Sequence, residues 1–307
     1  MIDFTQCEVN KFRAYGGANG NKINIRYQGE GYILKFPPVP TRSKTIRCTN
    51  SCISEYLACH IFELLGIKAQ ETLLGTYTDL QGREKLVVAC KDFTEGGKRL
   101  MEFAQLKNAC INSEQSGYGT DLRDILQAIE EQTLIPAGQL KAHFWDMFIA
   151  DALLGNFDRH NGNWGILVDE ESQTAEIAPV YDCGSCLYPQ LGAHEMQAVL
   201  EDEREIKRRI YEYPTSAIMN GGAKISYPRF IASLQNEDCN QALERISAKI
   251  DMEQIEALIR QTPGLLPVQR DFYEVMIRER KEQIIDCGMA QLMESREHRF
   301  DGMRFGM

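Results

Sequence analysis

The sequence has 307 residues, 43% of them hydrophobic and 25% charged, which is enough for one large or two modest globular domains. Its formal net charge of −10 disfavours a dedicated nucleic-acid binder, because an acidic protein gains little from releasing phosphate counterions. No apolar run approaches the ~20 residues that span a bilayer, and Met1–Gln6 lacks a signal-peptide pattern. We therefore expect a cytoplasmic protein that contacts neither nucleic acid nor membrane, although signal-independent export would leave no trace.

The first third of the chain is predicted to be rich in strands. Lys22–Tyr27 and Tyr32–Phe36 are strand-like runs joined by a Gly-containing turn, which predicts a β-hairpin. Apolar residues then recur at helical spacing over residues 53–65. Two more strands are predicted near residues 71–76 and 85–90.

From about residue 99 the pattern becomes mainly helical, and residues 297–307 show no periodicity, which is typical of a disordered end. A small β-rich lobe over residues 1–93 and a larger helical lobe over residues 94–307 make the predicted fold class α+β. In chain order, the predicted elements are helices 121–131 and 138–154, strands 164–168 and 174–180, and helices 195–209, 227–234, 239–248, 252–261 and 270–292.

The ten cysteines are scattered along the chain, as expected for reduced thiols in a cytosolic protein. Cys183 and Cys186 form one CxxC, without a second pair at zinc-ribbon spacing. Structural zinc needs four ligands, so we interpret this motif as a turn that carries two cysteines rather than as a metal or redox site.

One polar stretch has the residues that phosphoryl transfer needs, namely a carboxylate to accept a proton and hard oxygen ligands for Mg²⁺. Asp158 and Asn163 are five positions apart in a loop rich in Asn and Gly, the spacing of the kinase catalytic loop. Asp182 follows the next pair of strands and would be a second metal-binding carboxylate. A plain polar turn is the alternative, but the density of polar residues beside a very apolar helix argues against it.

Lys35 is the next candidate, because a lysine inside an apolar strand must reach water or meet an anion. By itself it would be interpreted as an edge-strand lysine. Glu55 on the following helix offers a partner, since a strand lysine paired with a helix glutamate holds nucleotide phosphates in kinases.

A run of small residues precedes the first hairpin strand: Gly16, Gly17, Ala18, Asn19 and Gly20, with Lys22 at the strand's start. Small residues let backbone N–H groups approach phosphate oxygens. The run matches neither the Walker A nor the GxGxxG pattern, so a mobile turn is an equal alternative.

Together these segments resemble the C-terminal kinase region of HipA-like serine/threonine kinases, from Gly16 into the C-terminal helices. The resemblance implies a two-lobed protein-kinase-like fold that binds ATP and Mg²⁺ between its lobes. It is carried by Ile33-Leu34-Lys35-Phe36-Pro37, Ser54-Glu55-Tyr56-Leu57, Leu65-Gly66-Ile67, Gly155–His160 with Asn163, and Ala178–Asp182.

The resemblance also implies roles. Asp158 would be the catalytic base, Asn163 and Asp182 the Mg²⁺ ligands, and Lys35 the phosphate-contacting lysine, while His160 would lie beside the nucleotide. Residues 89–92 would form the hinge that meets the adenine. The implied nucleotide-binding set is Gly16, Gly17, Ala18, Asn19, Gly20, Lys22, Lys35, Glu55, Ala89, Cys90, Lys91, Asp92, His160, Asn163, Tyr181 and Asp182.

Three features depart from the family pattern. The region that HipA toxins place before the Gly-rich loop is missing, so binding of a HipB-type antitoxin is not expected, and another regulatory partner is left open. Residues 15–22 contain no Ser or Thr, so switching by autophosphorylation of this loop is not expected. Cys183 stands where typical kinases have Phe, which argues against control by a flipping aromatic ring.

We therefore predict an ATP- and Mg²⁺-dependent serine/threonine protein kinase that also phosphorylates itself. Two alternatives remain at this point. One keeps the fold but transfers phosphate to a lipid or small molecule, and the other is a non-catalytic nucleotide-binding interaction protein.

Overall fold

The computed structural model describes residues 1–10, 22–38, 49–111 and 117–304. Its N-terminal part is a six-stranded sheet with one helix, and β1 is parallel to β5 while the other neighbouring strands are antiparallel. The predicted hairpin is present. The elements are β1 (Ile2–Asp3), β2 (Glu8–Val9), β3 (Lys22–Tyr27), β4 (Glu30–Lys35), helix α1 (Ser51–Leu64), β5 (Thr72–Thr78) and β6 (Glu84–Lys91), with the strand order β1-β5-β6-β4-β3-β2.

The two faces of this sheet bury different residues, because side chains alternate along a strand. Ile25, Leu34 and Ala89 pack on one face. The opposite face carries Val88, which packs with Cys52 of α1. Since Lys35 pairs directly with Val88 across β4 and β6, the lysine side chain lies on the face that α1 covers.

The rest of the chain is mainly helical, which confirms the predicted α+β class. Helix α4 is its centre, with Phe144, Trp145 and Phe148 at most 2% exposed. No helix within the described ranges combines the length and the apolar character that crossing a bilayer requires. The elements are β7 (Lys98–Glu102), α2 (Phe103–Cys110), α3 (Leu122–Glu131), α4 (Ala137–Leu154), β8 (Gly165–Asp169), β9 (Thr174–Ile177), α5 (Ala193–Leu200), α6 (Glu203–Tyr211), β10 (Met219–Asn220), β11 (Ala223–Lys224), α7 (Tyr227–Ser233), α8 (Glu237–Ser247), α9 (Met252–Gln261), α10 (Pro267–Arg280), a π-helical segment (Lys281–Asp286) and α11 (Cys287–Arg304).

Three predicted boundaries are wrong. The helix predicted over residues 195–209 is two helices, because the Asp202 side chain accepts a hydrogen bond from Arg204 N and so begins α6. The helical region predicted from residue 99 starts with a strand, since Leu100 pairs with Leu167 of β8. The final helix continues to Arg304, past the point where the apolar periodicity ends.

A buried arginine fixes the end of α4, from which the polar motif begins. Arg280 is 1% exposed, and its Nε donates to Ala152 O at 2.8 Å. Its Nη1 donates to Arg209 O at 2.7 Å and to the Tyr188 hydroxyl at 3.2 Å. One side chain therefore joins the C-terminal ends of α4, α6 and α10.

Replacing this arginine should be costly. In Arg280→Met the buried carbonyl of Ala152 loses a charged donor, and each such loss costs about 1–3 kcal/mol. We expect the free energy of unfolding, measured by urea denaturation, to fall by about 3 kcal/mol. Arg278→Met is the matched control on the same helix, where the side chain is 47% exposed and pairs with Glu256. In Arg278→Met the free energy of unfolding should fall by less than about 1 kcal/mol, and equal losses in the two variants would contradict the role of Arg280.

Candidate active site

A lysine lies between two carboxylates where the sheet meets the helical part. Lys35 Nζ is 3.0 Å from Glu55 Oε1 and 3.1 Å from Asp182 Oδ1. The three side chains come from β4, from α1 and from the segment after β9. The predicted pair of Lys35 and Glu55 is therefore present, and Asp182 is brought to the same ammonium group.

The charges of this cluster explain the titration behaviour of its members. Burial disfavours the charge of Lys35, but Asp182 and Glu55 together raise its pKa well above the ordinary value. The ammonium of Lys35 lowers the pKa of Asp182 to about 2. Burial raises the pKa of Glu55, which is 2% exposed. At neutral pH the cluster thus holds a charged lysine beside an ionised, 42% exposed Asp182 side chain.

The polar loop after α4 is held by its own backbone and side chains. Gly155 ends the helix in the left-handed region with φ 63°, a conformation that glycine adopts without strain. Asn156 Oδ1 accepts from Asp158 N at 3.0 Å. Asn163 Nδ2 donates to the carbonyl of Asp158 at 2.8 Å, and His160 N donates to the same carbonyl. The loop therefore presents an exposed Asp158 carboxylate beside a buried Asn163.

Two further predicted residues brace this loop. His160 Nδ1 accepts from Gly162 N at 3.0 Å, and the Tyr181 hydroxyl donates to Gly162 O at 3.0 Å. The Tyr181 ring also contacts Phe93, with ring centroids 5.8 Å apart. These contacts give both residues a structural task, while their contact with a nucleotide stays a prediction.

The sequence interpretation missed the central residues of the site, Arg159 and Asp151. Arg159 is 3% exposed, and its Nε donates to Asp151 Oδ2 at 3.0 Å. Its Nη1 donates to the carbonyls of Asn163 at 2.7 Å and Tyr181 at 2.6 Å, and its Nη2 reaches Cys183 Sγ at 3.3 Å. A signal existed: Asp151 lies on a helix that is apolar on most sides, and a buried carboxylate requires a partner.

Asp182 itself has an unusual backbone. Its φ is 56°, in the left-handed region that residues other than glycine adopt at a cost of about 1 kcal/mol or more. Arg159 holds the carbonyl just before it, and Lys35 holds its side chain. The conformation is thus maintained by contacts on both sides.

The remaining predicted residues differ in how far the structure brings them together. Lys22 lies opposite Lys35 in the sheet, and its charge also contributes to the low pKa of Asp182, after that of Lys35. Ala89 and Cys90 lie inside β6 and pair with strands on both sides. Lys91 and Asp92 are at the end of β6, where Gln70 Nε2 donates to Lys91 O at 2.9 Å. The hinge role of residues 89–92 stays a prediction, and Gly16, Gly17, Ala18, Asn19 and Gly20 lie outside the described residues.

The oxygen atoms at this site are suited to Mg²⁺, which prefers carboxylate and amide oxygens and usually keeps one or two protein carboxylates beside substrate phosphates. Asp182 supplies a carboxylate. Asn163 supplies an amide oxygen, because its nitrogen is already engaged by Asp158. Among the described residues, no group of three or more His, Cys, Asp or Glu could hold a metal by itself. The protein ligands therefore fit a metal that is shared with a phosphate ligand.

The CxxC motif lies in a turn, as interpreted from the sequence, with Cys186 N donating to Cys183 O at 3.1 Å. A separate cavity of about 520 Å³ lies beside the far end of α1 and is lined by His60, Lys68 and Phe93, among others. Lys35, Asp158 and Asp182 do not line it, but Lys91 of the predicted hinge does.

Comparisons with known proteins agree with this geometry. Residues 13–262 match the HipA-like C-terminal domain. The serine/threonine-protein kinase CtkA of Helicobacter pylori strain J99 is 49% identical over 95% of this chain and 89% of its own length. A crystal structure of the H. pylori proinflammatory kinase CtkA matches with a TM-score of 0.89 over 95% of this chain and 98% of that chain.

A HipA–HipB–operator DNA complex from Shewanella oneidensis MR-1 matches with a TM-score of 0.57 at 15% identity, over 90% of this chain and 66% of that chain. At that identity it shows the fold alone. The chain therefore belongs to the HipA-like serine/threonine kinase family, which confirms the family, the fold and the enzyme class that the sequence predicts.

Proposed function

We propose that this chain is an ATP- and Mg²⁺-dependent kinase that transfers the γ-phosphoryl group to serine or threonine hydroxyls of proteins and also phosphorylates itself. The observation that carries the proposal is the position of Lys35, 3.0 Å from Glu55 and 3.1 Å from Asp182. Catalysis of phosphoryl transfer is mostly positioning and charge stabilisation, and this cluster provides a fixed cation beside a metal-binding carboxylate.

Each residue then has one task. Mg·ATP would supply the phosphoryl group and the cation that neutralises its charge. Lys35, oriented by Glu55, would contact the phosphates, while Asn163 and Asp182 would hold the metal. Asp158, exposed on its braced loop, would orient the acceptor hydroxyl and take its proton.

The same arrangement supports a division into two lobes. We place the N-terminal lobe at residues 1–93 and the helical lobe at residues 94–307, with the nucleotide between them. Because Ala89 and Cys90 are paired on both sides within the sheet, we assign the adenine contacts to Lys91, the last residue of β6, and to Asp92, which follows it.

A protein acceptor is supported by the relative that is named a serine/threonine-protein kinase and is 49% identical to this chain. Phosphoserine or phosphothreonine in proteins incubated with the enzyme and ATP would support this class of acceptor. Incorporation of phosphate only into lipids or small molecules would show that the acceptor is not a protein. Tight ATP binding without turnover would indicate a non-catalytic nucleotide-binding protein.

Replacing the proposed base tests the chemistry directly. Asp158→Asn keeps the size of the side chain but cannot accept the proton, so we expect phosphoryl transfer to fall at least ~100-fold while ATP still binds. Transfer of radiolabelled phosphate from ATP measures the first effect, and calorimetric titration with ATP the second. Asp271→Asn, at an exposed position on α10, is the matched control and should keep wild-type activity. Equal transfer by wild type and Asp158→Asn would contradict the assignment.

Replacing the proposed metal ligand tests the cofactor. In Asp182→Asn the site loses a charge that Mg²⁺ prefers, so the Mg²⁺ concentration for half-maximal activity should rise at least ~10-fold. A chelator should abolish wild-type activity, and added Mg²⁺ should restore it. A Mg²⁺ titration of Asp271→Asn should overlay that of the wild type. An unchanged Mg²⁺ requirement in Asp182→Asn would remove this residue from the metal site.

A further inference from the structure

A small hairpin stands beside the catalytic loop and has no role in the chemistry described above. It consists of β10 and β11, joined by Gly221 and Gly222, whose positive φ values of 59° and 82° form a tight two-residue turn. It is attached from the side of β10, because Met219 N donates to Thr120 O at 2.8 Å.

Two hydrogen bonds connect this region to the catalytic loop. Asn161 Nδ2 donates to the carbonyl of Gly119, next to Thr120, at 2.8 Å. The hydroxyl of the buried Tyr227, three residues after Lys224, donates to Asn156 O at 2.8 Å. The hairpin is therefore fixed relative to Asp158, which is two residues after Asn156.

The hairpin has one free backbone edge. Along an antiparallel pair of strands, successive pairs of opposite residues direct their N–H and C=O groups alternately inward, toward the partner strand, and outward, away from it. Ile225 N donates inward to Ile218 O at 2.9 Å, so the next pair, Met219 and Lys224, faces outward. Met219 uses its outward N–H on Thr120. Lys224 points its own N–H and C=O the opposite way, at an exposed position.

The side chain of Lys224 also lacks an ion-pair partner among the described residues. It makes no ion pair within 4.0 Å with any carboxylate in the part of the chain that the structure describes. It nevertheless belongs to the hairpin that the hydrogen bonds of Asn161 and Tyr227 fix beside the loop of the proposed base, Asp158. A cation with no ion pair to the described residues is thus exposed near the loop of Asp158, on a protein of net charge −10.

We infer that the outer edge of β11 is the docking surface for the acceptor polypeptide, and that Lys224 selects segments with an acidic residue close to the acceptor serine or threonine. This inference rests on the proposed protein-kinase activity. An extended segment would pair its backbone with the free groups of Lys224, a mode in which main-chain bonds give affinity and side chains give specificity. A carboxylate of the segment would meet the ammonium group.

Three matched peptides test the inference. They share one acceptor serine and differ only in the flanking positions, which carry glutamate, alanine or lysine. For the wild type we expect kcat/KM for the glutamate peptide to exceed that for the alanine peptide about fivefold, the size of one exposed ion pair, and mainly through KM. Lys224→Ala should lose this preference, and Lys224→Glu should reverse it in favour of the lysine peptide.

Lys207→Glu is the control for the change in net charge, because Lys207 is exposed on α6 and pairs with Glu203 there. It should keep the wild-type order of peptides. The midpoint of urea denaturation should be unchanged in Lys224→Glu, which shows that the variant is folded. A raised KM for ATP in Lys224→Ala would place Lys224 on the nucleotide instead and overturn the inference.

The two levels of the proposal fail in different ways. Equal kcat/KM of the wild type for all three peptides would overturn the acidic acceptor but leave the kinase in place. If the wild type transferred phosphate to no peptide and no protein, the proposed protein-kinase activity itself would be wrong, and the docking surface with it.

Discussion

The buried ion pair between Arg159 and Asp151 connects the parts of the molecule that carry the proposed site residues. Both groups are almost completely removed from water, at 3% and 1% exposure, and removing one partner of such a pair typically costs about 3–5 kcal/mol. The same guanidinium holds the carbonyls of Asn163 and Tyr181. Helix α4, the polar loop after it and the segment that carries Asp182 therefore share one anchor, and none of them can shift without leaving a buried polar group unpaired.

A second contact, the ion pair of Lys35 and Asp182, connects the sheet with the helical part. Asp182 leaves this anchor with a left-handed backbone and reaches Lys35 on the sheet, so a loop of the helical part and a strand of the N-terminal part meet through one ion pair. Because the Asp182 side chain is 42% exposed, this contact is weaker than the buried one, and the proposed function requires it to rearrange around phosphates and metal. The buried anchor positions the proposed metal ligands Asn163 and Asp182, and the weaker pair with Lys35 leaves the Asp182 carboxylate available.

Much of this arrangement could be predicted from the sequence, because it depends on local patterns. Alternation predicted the hairpin that carries Lys35, and the Asn- and Gly-rich composition predicted the loop that holds Asp158 and Asn163. What could not be predicted depends on long-range pairing. The strand from Lys98 shows its character only once it pairs with β8, and the split near Asp202 depends on one capping side chain. Arg159 appeared as one more polar residue of the motif, since its partner Asp151 is hidden in an apolar helix.

The position of the β10–β11 hairpin follows from the same long-range contacts. Two residues per strand are too few to be stable or to be predicted from the sequence, and the hairpin depends on its attachment to Thr120 and to the buried Ile218 and Ile225. The attachment at Thr120 leads to the loop of Asp158 through Asn161, which donates to the neighbouring Gly119 O. The attachment at Ile225 leads to the same loop through Tyr227, which donates to Asn156 O. The proposed docking surface is therefore held at a fixed position relative to Asp158, as the positioning of a flexible acceptor chain for phosphoryl transfer would require.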